Sequence, residues 1–325
     1  MRAPDFWRRD GVVARALSPA SCIWRAVARR RRRVAKPVRT GVPVICIGNA
    51  VAGGAGKTPV ALSIAARLIR HGKEPHFLSR GYGGTERGPL QVDPDRHAAA
   101  EVGDEPLLLG RLAPAWIARD RVAGAKAAAA QGAGLVIMDD GFQNHDLQKD
   151  LSILVFDGGY GIGNGRLMPA GPLREPLEDA LARADAVIVI GDDRSGIRDA
   201  VAGRRPLLWA RHVPVADTDG ISGKRVVAFA GIGRPGKFFE TLAGMGCHVI
   251  ATRDFPDHHA YSPDEIMSLI DTAAAANALL VTTEKDAVRL PPAARDMVKV
   301  LRVVLEWQDD DALDKLLEPV ITVKA

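Results

Sequence analysis

The sequence has few cysteines, few aromatics and no long apolar run. Its three cysteines, Cys22, Cys46 and Cys247, are scattered and odd in number. No CxxC or Cys/His zinc spacing accompanies them, which argues against a disulfide scaffold or structural metal and for a reducing compartment. Aromatic residues make up 5% of the 325 positions and hydrophobic residues 47%, a balance that suits close packing of helices on a sheet. With no stretch of 18 apolar residues, no segment is expected to span a bilayer. The N-terminus lacks an uninterrupted apolar segment and a clear small-residue cleavage site, so no signal peptide is expected. The length suggests about two domains.

Acids are scarce at the N-terminus. Residues 1–40 hold twelve Lys/Arg against Asp5 and Asp10, a net +10 within a chain whose total is +5, so the remainder carries about −5. The pattern predicts two short helices over residues 4–33, broken at Ser18-Pro19, with Ser18 as N-cap and Pro19 at the first helical position. Phe6, Trp7, Val13 and Leu17 can share an apolar side of the first, and Ile23, Trp24 and Val27 of the second. Arg8, Arg9, Arg15, Arg25 and the run Arg29 to Arg33 surround them. Tryptophan with arginine on an amphipathic helix suits a membrane interface. The alternatives are a solvated helix pair packed on the body and a nucleic-acid contact through the arginines.

What the sequence does have is GNAVAGGAGKTP at Gly48 to Pro59. Val44 to Ile47 run into it as a buried strand, and Val60, Ile64, Ala65 and Leu68 leave it at helical spacing. Gly53, Gly54, Ala55, Gly56, Lys57 and Thr58 fit the end of a phosphate-binding loop. Its backbone N–H groups converge on phosphate oxygens, and the helix N-terminus adds partial positive charge. Lys57 would reach the β- and γ-phosphates, and the Thr58 hydroxyl would hold Mg²⁺. Val51 stands where the full pattern has its first glycine; a glycine-rich turn without a ligand is the alternative. Pro59 sits in the first helical turn, where a missing N–H costs nothing.

Further along, a strand from Pro75 to Leu78 leads to Ser79-Arg80-Gly81-Tyr82-Gly83-Gly84. Arg80 thus emerges at a C-terminal strand end, where open α/β sheets bind ligands. Asp104 and Glu105 precede Leu107 to Leu109 and would by default cap that helix. Leu135 to Met138 form a buried strand from whose end Asp139 and Asp140 emerge, the placement by which phosphate-loop enzymes hold Mg²⁺ or its waters. Strands are expected at Leu151 to Phe156 and Ala186 to Ile190. Between them lies GGYGIGNGRLMPAGPLREP, a loop long enough to be a binding loop or lid, carrying Arg166, Arg174 and Glu175. Residues 206–222 read as a Pro-punctuated domain boundary. A second α/β unit follows: Val226 to Ala230, a tight GIGRPG turn, His248 to Thr252, Leu279 to Thr283, and Val298 to Leu305 closing the sheet. Ser262-Pro263-Asp264-Glu265 is an N-cap box.

The motifs GNAVAGGAGKTP, LSRGYGG, VGDEP, MDDGFQ, GNGRLMPAGPLREP, FAGIG, FPDHH and TEKDAVRL occur in an order that resembles the tetraacyldisaccharide 4′-kinases of lipid A synthesis, over roughly residues 5–310. The resemblance implies ATP and Mg²⁺, and as acceptor an acylated glucosamine disaccharide 1-phosphate whose 4′-hydroxyl is phosphorylated to give lipid IVA. It implies an N-terminal helix on the cytoplasmic face of the bacterial inner membrane, a peripheral placement on an anionic surface, with no nucleic-acid partner. It places a catalytic Asp in the VGDE segment, here Asp104, and a histidine in FPDH, here His258. These two are expected to pair across an interdomain cleft, with His259 a bystander. Asn144 and Ala55 depart from residues common in the family, without removing a group assigned to chemistry.

The expected architecture is α/β: a P-loop NTPase-like parallel sheet over residues 41–215, a smaller Rossmann-like domain over 216–325 completing the cleft, and a basic amphipathic arm over 1–40. Lys57 joins Asp104 and His258 as catalytic. Thr58, Asp139 and Asp140 are the metal candidates, and Arg80, Arg174 and Glu175 the substrate-binding ones. The rival is a membrane-associated P-loop switch ATPase. Such proteins carry a signature lysine just before the double glycine, where this chain has Ala52.

Overall fold

The computed structural model describes residues 4–215 and 220–322. Nine strands form the larger sheet: β1 (Val44–Gly48), β2 (Pro75–Ser79), β3 (Leu90–Val92), β4 (Ala115–Ile117), β5 (Leu135–Asp139), β6 (Leu151–Asp157), β7 (Ala186–Ile190), β8 (Leu207–Pro214) and, much later, β13 (Val303–Trp307). Their order is β13-β8-β7-β6-β1-β5-β2-β4-β3. The run from β8 to β4 is parallel, and antiparallel strands β13 and β3 close the two edges. A second sheet, all parallel, has the order β10-β9-β11-β12, from β9 (Arg225–Ala230), β10 (His248–Asp254), β11 (Leu279–Thr283) and β12 (Lys299–Leu301).

Alternation along the strands explains why the larger sheet is covered on both faces. Ile45 and Ile47 of β1 point to one side, where Val60, Ile64 and Leu68 of the helix Lys57–Arg70 and Leu313, Leu317 and Val320 of the C-terminal helix pack. Cys46 points to the other, among Leu154, Phe156 and Val187. Each such fully buried aliphatic side chain contributes about 1.5–3 kcal/mol relative to exposure. β1 therefore lies in the deepest part of the core, and its C-terminal end, the start of the glycine loop, is held rigidly between β5 and β6.

Three expectations are corrected. Val298 to Leu305 is not one strand: the chain pairs β12 with β11 and then, past Arg302, crosses to pair β13 with β8 in the larger sheet. The boundary expected at 206–222 contains β8, which Pro206 precedes and Pro214 ends; residues 216–219 lie outside the described residues. The N-terminal pair of helices is a 3₁₀ turn, Asp5–Trp7, followed by one helix, Val12–Val34, with Pro19 inside it. Ser18 is not an N-cap; its hydroxyl donates to the Ala14 carbonyl at 2.9 Å.

Tertiary contacts stabilise the proline-bearing helix. Ser21 Oγ donates to Leu167 O at 2.8 Å, Trp24 Nε1 to Arg174 O at 2.7 Å, and Arg166 Nη1 to Ser18 Oγ at 2.8 Å. These bonds tie the helix to the Gly/Pro-rich loop and offset the helix bond that proline removes. Val12 (83%), Ile23 (70%) and Val27 (48%) remain exposed. Among the described residues, no helix is long and apolar enough to cross a membrane.

Candidate active site

The glycine loop turns because Gly53 and Gly56 adopt φ of 115° and 82°, conformations that cost glycine little. At Gly56 a Cβ would also stand 2.4 Å from Ile190 Cδ1. Gly56 is the N-cap of the helix Lys57–Arg70, so Lys57 and Thr58 enter its first turn. Register places Ile47 opposite Asp139. Thr58 Oγ1 therefore donates to Asp139 Oδ2 at 2.8 Å, inside the protein.

Asp139 is 1% exposed, and its Oδ1 is buried with no hydrogen-bond partner among the described residues. Burial pushes its carboxyl well above the usual range, Glu105 adding to this and Lys57 and Thr58 opposing it. A buried oxygen without a partner, beside a threonine hydroxyl and a second carboxylate, is a hard-oxygen donor set that fits Mg²⁺. Asp140, at φ 52°, turns the other way. Its Oδ1 lies 3.6 Å from Lys57 Nζ and accepts from Arg174 Nη1 at 3.1 Å. Burial would raise its pKa, but Lys57 and Arg174 hold it below the ordinary value.

Arg174 also donates to Gln143 Oε1 at 3.1 Å, and Gln143 Nε2 donates to Asn49 O at 2.9 Å and to Glu175 Oε1 at 3.2 Å. Glu175 is buried and takes a second bond from Arg183. The two candidates from the long loop therefore differ: Arg174 reaches the Asp140 carboxylate beside the glycine loop, while Glu175 is engaged by protein on both oxygens. Arg80 is exposed just past β2, and its charge adds to the burial that depresses the Arg121 guanidinium to about 10.

The second cluster joins the two sheets. Asp104 begins the helix Asp104–Gly110 and is 3% exposed. Its oxygens lie 2.9 and 3.1 Å from His258 Nδ1. His258 reaches it from the FPDHH turn with φ 62°, and Tyr82 packs edge-on against its ring at 5.4 Å. Arg289 Nε stands 3.5 Å and Lys285 Nζ 4.0 Å from Asp104 Oδ2. Burial alone would raise the Asp104 carboxyl, but the His258 hydrogen bond and the neighbouring cations outweigh it and keep the group ionised. The opposite face of the imidazole meets Lys285, whose Nζ is 3.4 Å from His258 Nε2. The arrangement consistent with both contacts has Nδ1–H donating to Asp104 and Nε2 accepting from Lys285. His259 instead stacks on Phe255 and bonds Glu265.

Lys285 and Arg289 were not assigned from sequence, although both stand in TEKDAVRL. Their spacing of four, just past β11, is the available signal, since it puts two cations on one face of a turn. Asp286 between them is fully buried and takes bonds from Gly231 N (2.8 Å), Tyr261 OH (2.6 Å), Thr283 Oγ1 (2.6 Å) and Arg289 Nη2 (2.7 Å). It fixes the turn from which Lys285 and Arg289 extend.

A family model described as tetraacyldisaccharide-1-P 4′-kinase matches residues 13–322. The chain is 55% identical to the tetraacyldisaccharide 4′-kinase of Rhodospirillum centenum over 331 residues, covering 100% of this chain and 98% of that relative. It is 54% identical to the tetraacyldisaccharide 4′-kinase of Paramagnetospirillum magneticum, covering 98% of each. Its fold is similar to the crystal structure of LpxK from Aquifex aeolicus in complex with ATP, with a TM-score of 0.78 and 27% identity, over 95% of this chain and 100% of that one.

Proposed function

The chain belongs to the tetraacyldisaccharide-1-P 4′-kinase family, and from that membership we propose that the phosphate loop, the β5 carboxylates and the Asp104–His258 pair form one phosphoryl-transfer site. The protein is an ATP-dependent kinase of lipid A biosynthesis that phosphorylates the 4′-hydroxyl of tetraacyldisaccharide 1-phosphate to give lipid IVA. The observation that carries the site assignment is the direct contact of His258 with Asp104 at the phosphate-loop edge of the larger sheet.

Phosphoryl transfer is mostly positioning and charge neutralisation. The N–H groups from Gly53 to Thr58 bind the phosphates of ATP. Lys57, steered by Asp140, lies on the transferring group. Thr58 and Asp139 are the residues that would hold Mg²⁺, with Asp140 beside them; the ion when bound supplies charge neutralisation on the phosphate oxygens. Arg174 fixes Asp140 and Gln143, and Glu175 acts through Gln143 as a positioning residue. Arg80, exposed at the same edge, suits an anionic group of the acceptor.

The acceptor hydroxyl must lose its proton as the O–P bond forms. Asp104 supplies the ionised base, and His258, the more exposed member, orients it through its Nδ1–H, so the pair works as a unit. Lys285 and Arg289 help keep Asp104 ionised. The second sheet, a smaller Rossmann-like unit, thus completes the cleft. Its domain is residues 216–325, amended by the return of β13 and the final helix to the larger sheet of residues 41–215. Residues 1–40 form an amphipathic arm that holds the enzyme peripherally on the anionic cytoplasmic face of the inner membrane, where an acylated acceptor resides, rather than on nucleic acid.

The test is transfer of γ-labelled phosphate from ATP to tetraacyldisaccharide 1-phosphate in mixed vesicles. One labelled glycolipid should form per ADP released. ADP release that is independent of the acceptor would favour a switch ATPase.

A further inference from the structure

We propose that Asp157 is a positioning residue for the transfer: it latches the second sheet over the phosphate loop and thereby brings His258 to Asp104. The proposal rests on the site assignment above. Asp157 ends β6, the neighbour of β1 on the side away from β5. It is buried, and both its oxygens are taken by cations of the second unit. Lys237 Nζ lies 2.6 Å from Oδ2, and Arg234 Nη1 donates to Oδ1, which also accepts from Gly159 N at 2.8 Å. Arg234 is stacked over Tyr160 at 5.0 Å. It directly precedes the helix Pro235–Gly244, and Lys237 lies in that helix's first turn.

Between this cluster and the Asp104 cluster the second unit passes over the phosphate loop. A Cβ on Gly233 would stand 3.7 Å from Gly54 N. The two units thus meet at two places that flank β1. At each, carboxylates of the larger unit face basic side chains of the second: Asp157 against Arg234 and Lys237, and Asp104 with Glu105 against Lys285, Arg289 and the His258 imidazole. A body held at two points can turn only about the line through them, so neither contact opens while both hold. Without the Asp157 charge, Arg234 and Lys237 face each other uncompensated and the second unit is free to rock about the remaining contact, which carries the histidine.

The test compares Asp157→Asn with Asp157→Glu in the full chain. Asp157→Asn should lower kcat by about ten- to a hundredfold, the scale of misplacing a reacting group by about an ångström, while KM for ATP changes by no more than about threefold. Asp157→Glu should recover most of the loss. Hydrogen exchange, which needs no acceptor, should rise over residues 231–237 and 255–262 in Asp157→Asn and stay unchanged in the helix Lys57–Arg70. Lys237→Gln, a milder change, should shift both readouts in the same direction. Wild-type kcat in Asp157→Asn, or raised exchange without loss of kcat, would overturn the positioning role while leaving the site assignment standing. A fully active Asp104→Asn would instead overturn the site assignment, with exchange still reporting the latch.

Discussion

Changing Asp104 to asparagine keeps the volume of a 3%-exposed side chain and removes the charge on which the pair depends. Two effects follow. The base is lost, and general base catalysis contributes about 10²–10⁴-fold. The 2.9 Å charge-assisted bond to His258 Nδ1 is also lost; such bonds are worth about 1.5–3 kcal/mol, or about one to two powers of ten in rate if spent on orientation. These are not separate contributions, since the bond serves the base. Asp104→Asn should therefore lower kcat by about 10²–10⁴-fold, and His258→Ala by about 10–10²-fold. The double mutant should be little worse than Asp104→Asn, because residues acting as a unit are non-additive. Single-turnover transfer at saturating ATP, with nucleotide affinity measured separately, gives the cycle. Affinity should stay within a few-fold, since neither residue belongs to the phosphate loop. Fully multiplicative losses, or wild-type turnover in Asp104→Asn, would refute the shared role. His259→Ala is the control and should matter less.

Lys57→Ala and Thr58→Ala should each lower turnover by about 10²–10³-fold, the cost of one electrostatic stabiliser, with melting temperature retained; near-normal turnover would reject the phosphate-loop role. Asp139→Asn should raise the Mg²⁺ concentration for half-maximal rate by about tenfold or more, and an unchanged requirement in both Asp139→Asn and Asp140→Asn would reject metal binding there. Deleting residues 1–33 should release the protein from anionic vesicles, each lost Lys/Arg near the surface being worth about 1 kcal/mol. Binding of the full chain should fall with salt. Equal sedimentation of both forms with vesicles would count against the arm. Burial, with Arg183, Lys149 and Arg32 nearby, lowers the His145 pKa to about 4. The folded state thus favours neutral His145, and its contribution is present above the unfolded value of about 6.5 and lost as pH falls toward 4. His145→Gln should flatten that part of the stability curve in denaturant titrations, and an unaltered slope would contradict the assignment.

The strand, glycine turn and helix around Gly53 to Thr58 were legible because their signal is local: a buried strand, glycines at two positive-φ positions and a helix start within some fifteen residues. Asp139 and Asp140 were legible for the same reason. The Asp104–His258 contact is not local. The two residues are 154 positions apart, and composition and spacing gave no sign that they meet; only the family resemblance paired them. β13 was missed because period-two alternation reports that a strand exists, not which sheet it joins. The break at Arg302, between β12 and β13, leaves no turn signature. Ser18-Pro19 is a sound local signal for a helix start, and contacts from Ser21, Trp24 and Arg166 to the long loop override it. Lys285 and Arg289 were visible as charges, but their roles depend on Asp104 arriving from the other sheet.

The central claim, that this site places the γ-phosphate of ATP on one sugar hydroxyl, is tested most directly by locating the phosphate in the product. Fragmentation mass spectrometry of glycolipid made with labelled ATP should show the new phosphate on the 4′-oxygen of the distal glucosamine with the 1-phosphate unchanged, and the Lys57→Ala protein should form that product about 10²–10³-fold more slowly. A phosphate at another position, or product formed by Lys57→Ala at the wild-type rate, would contradict the account.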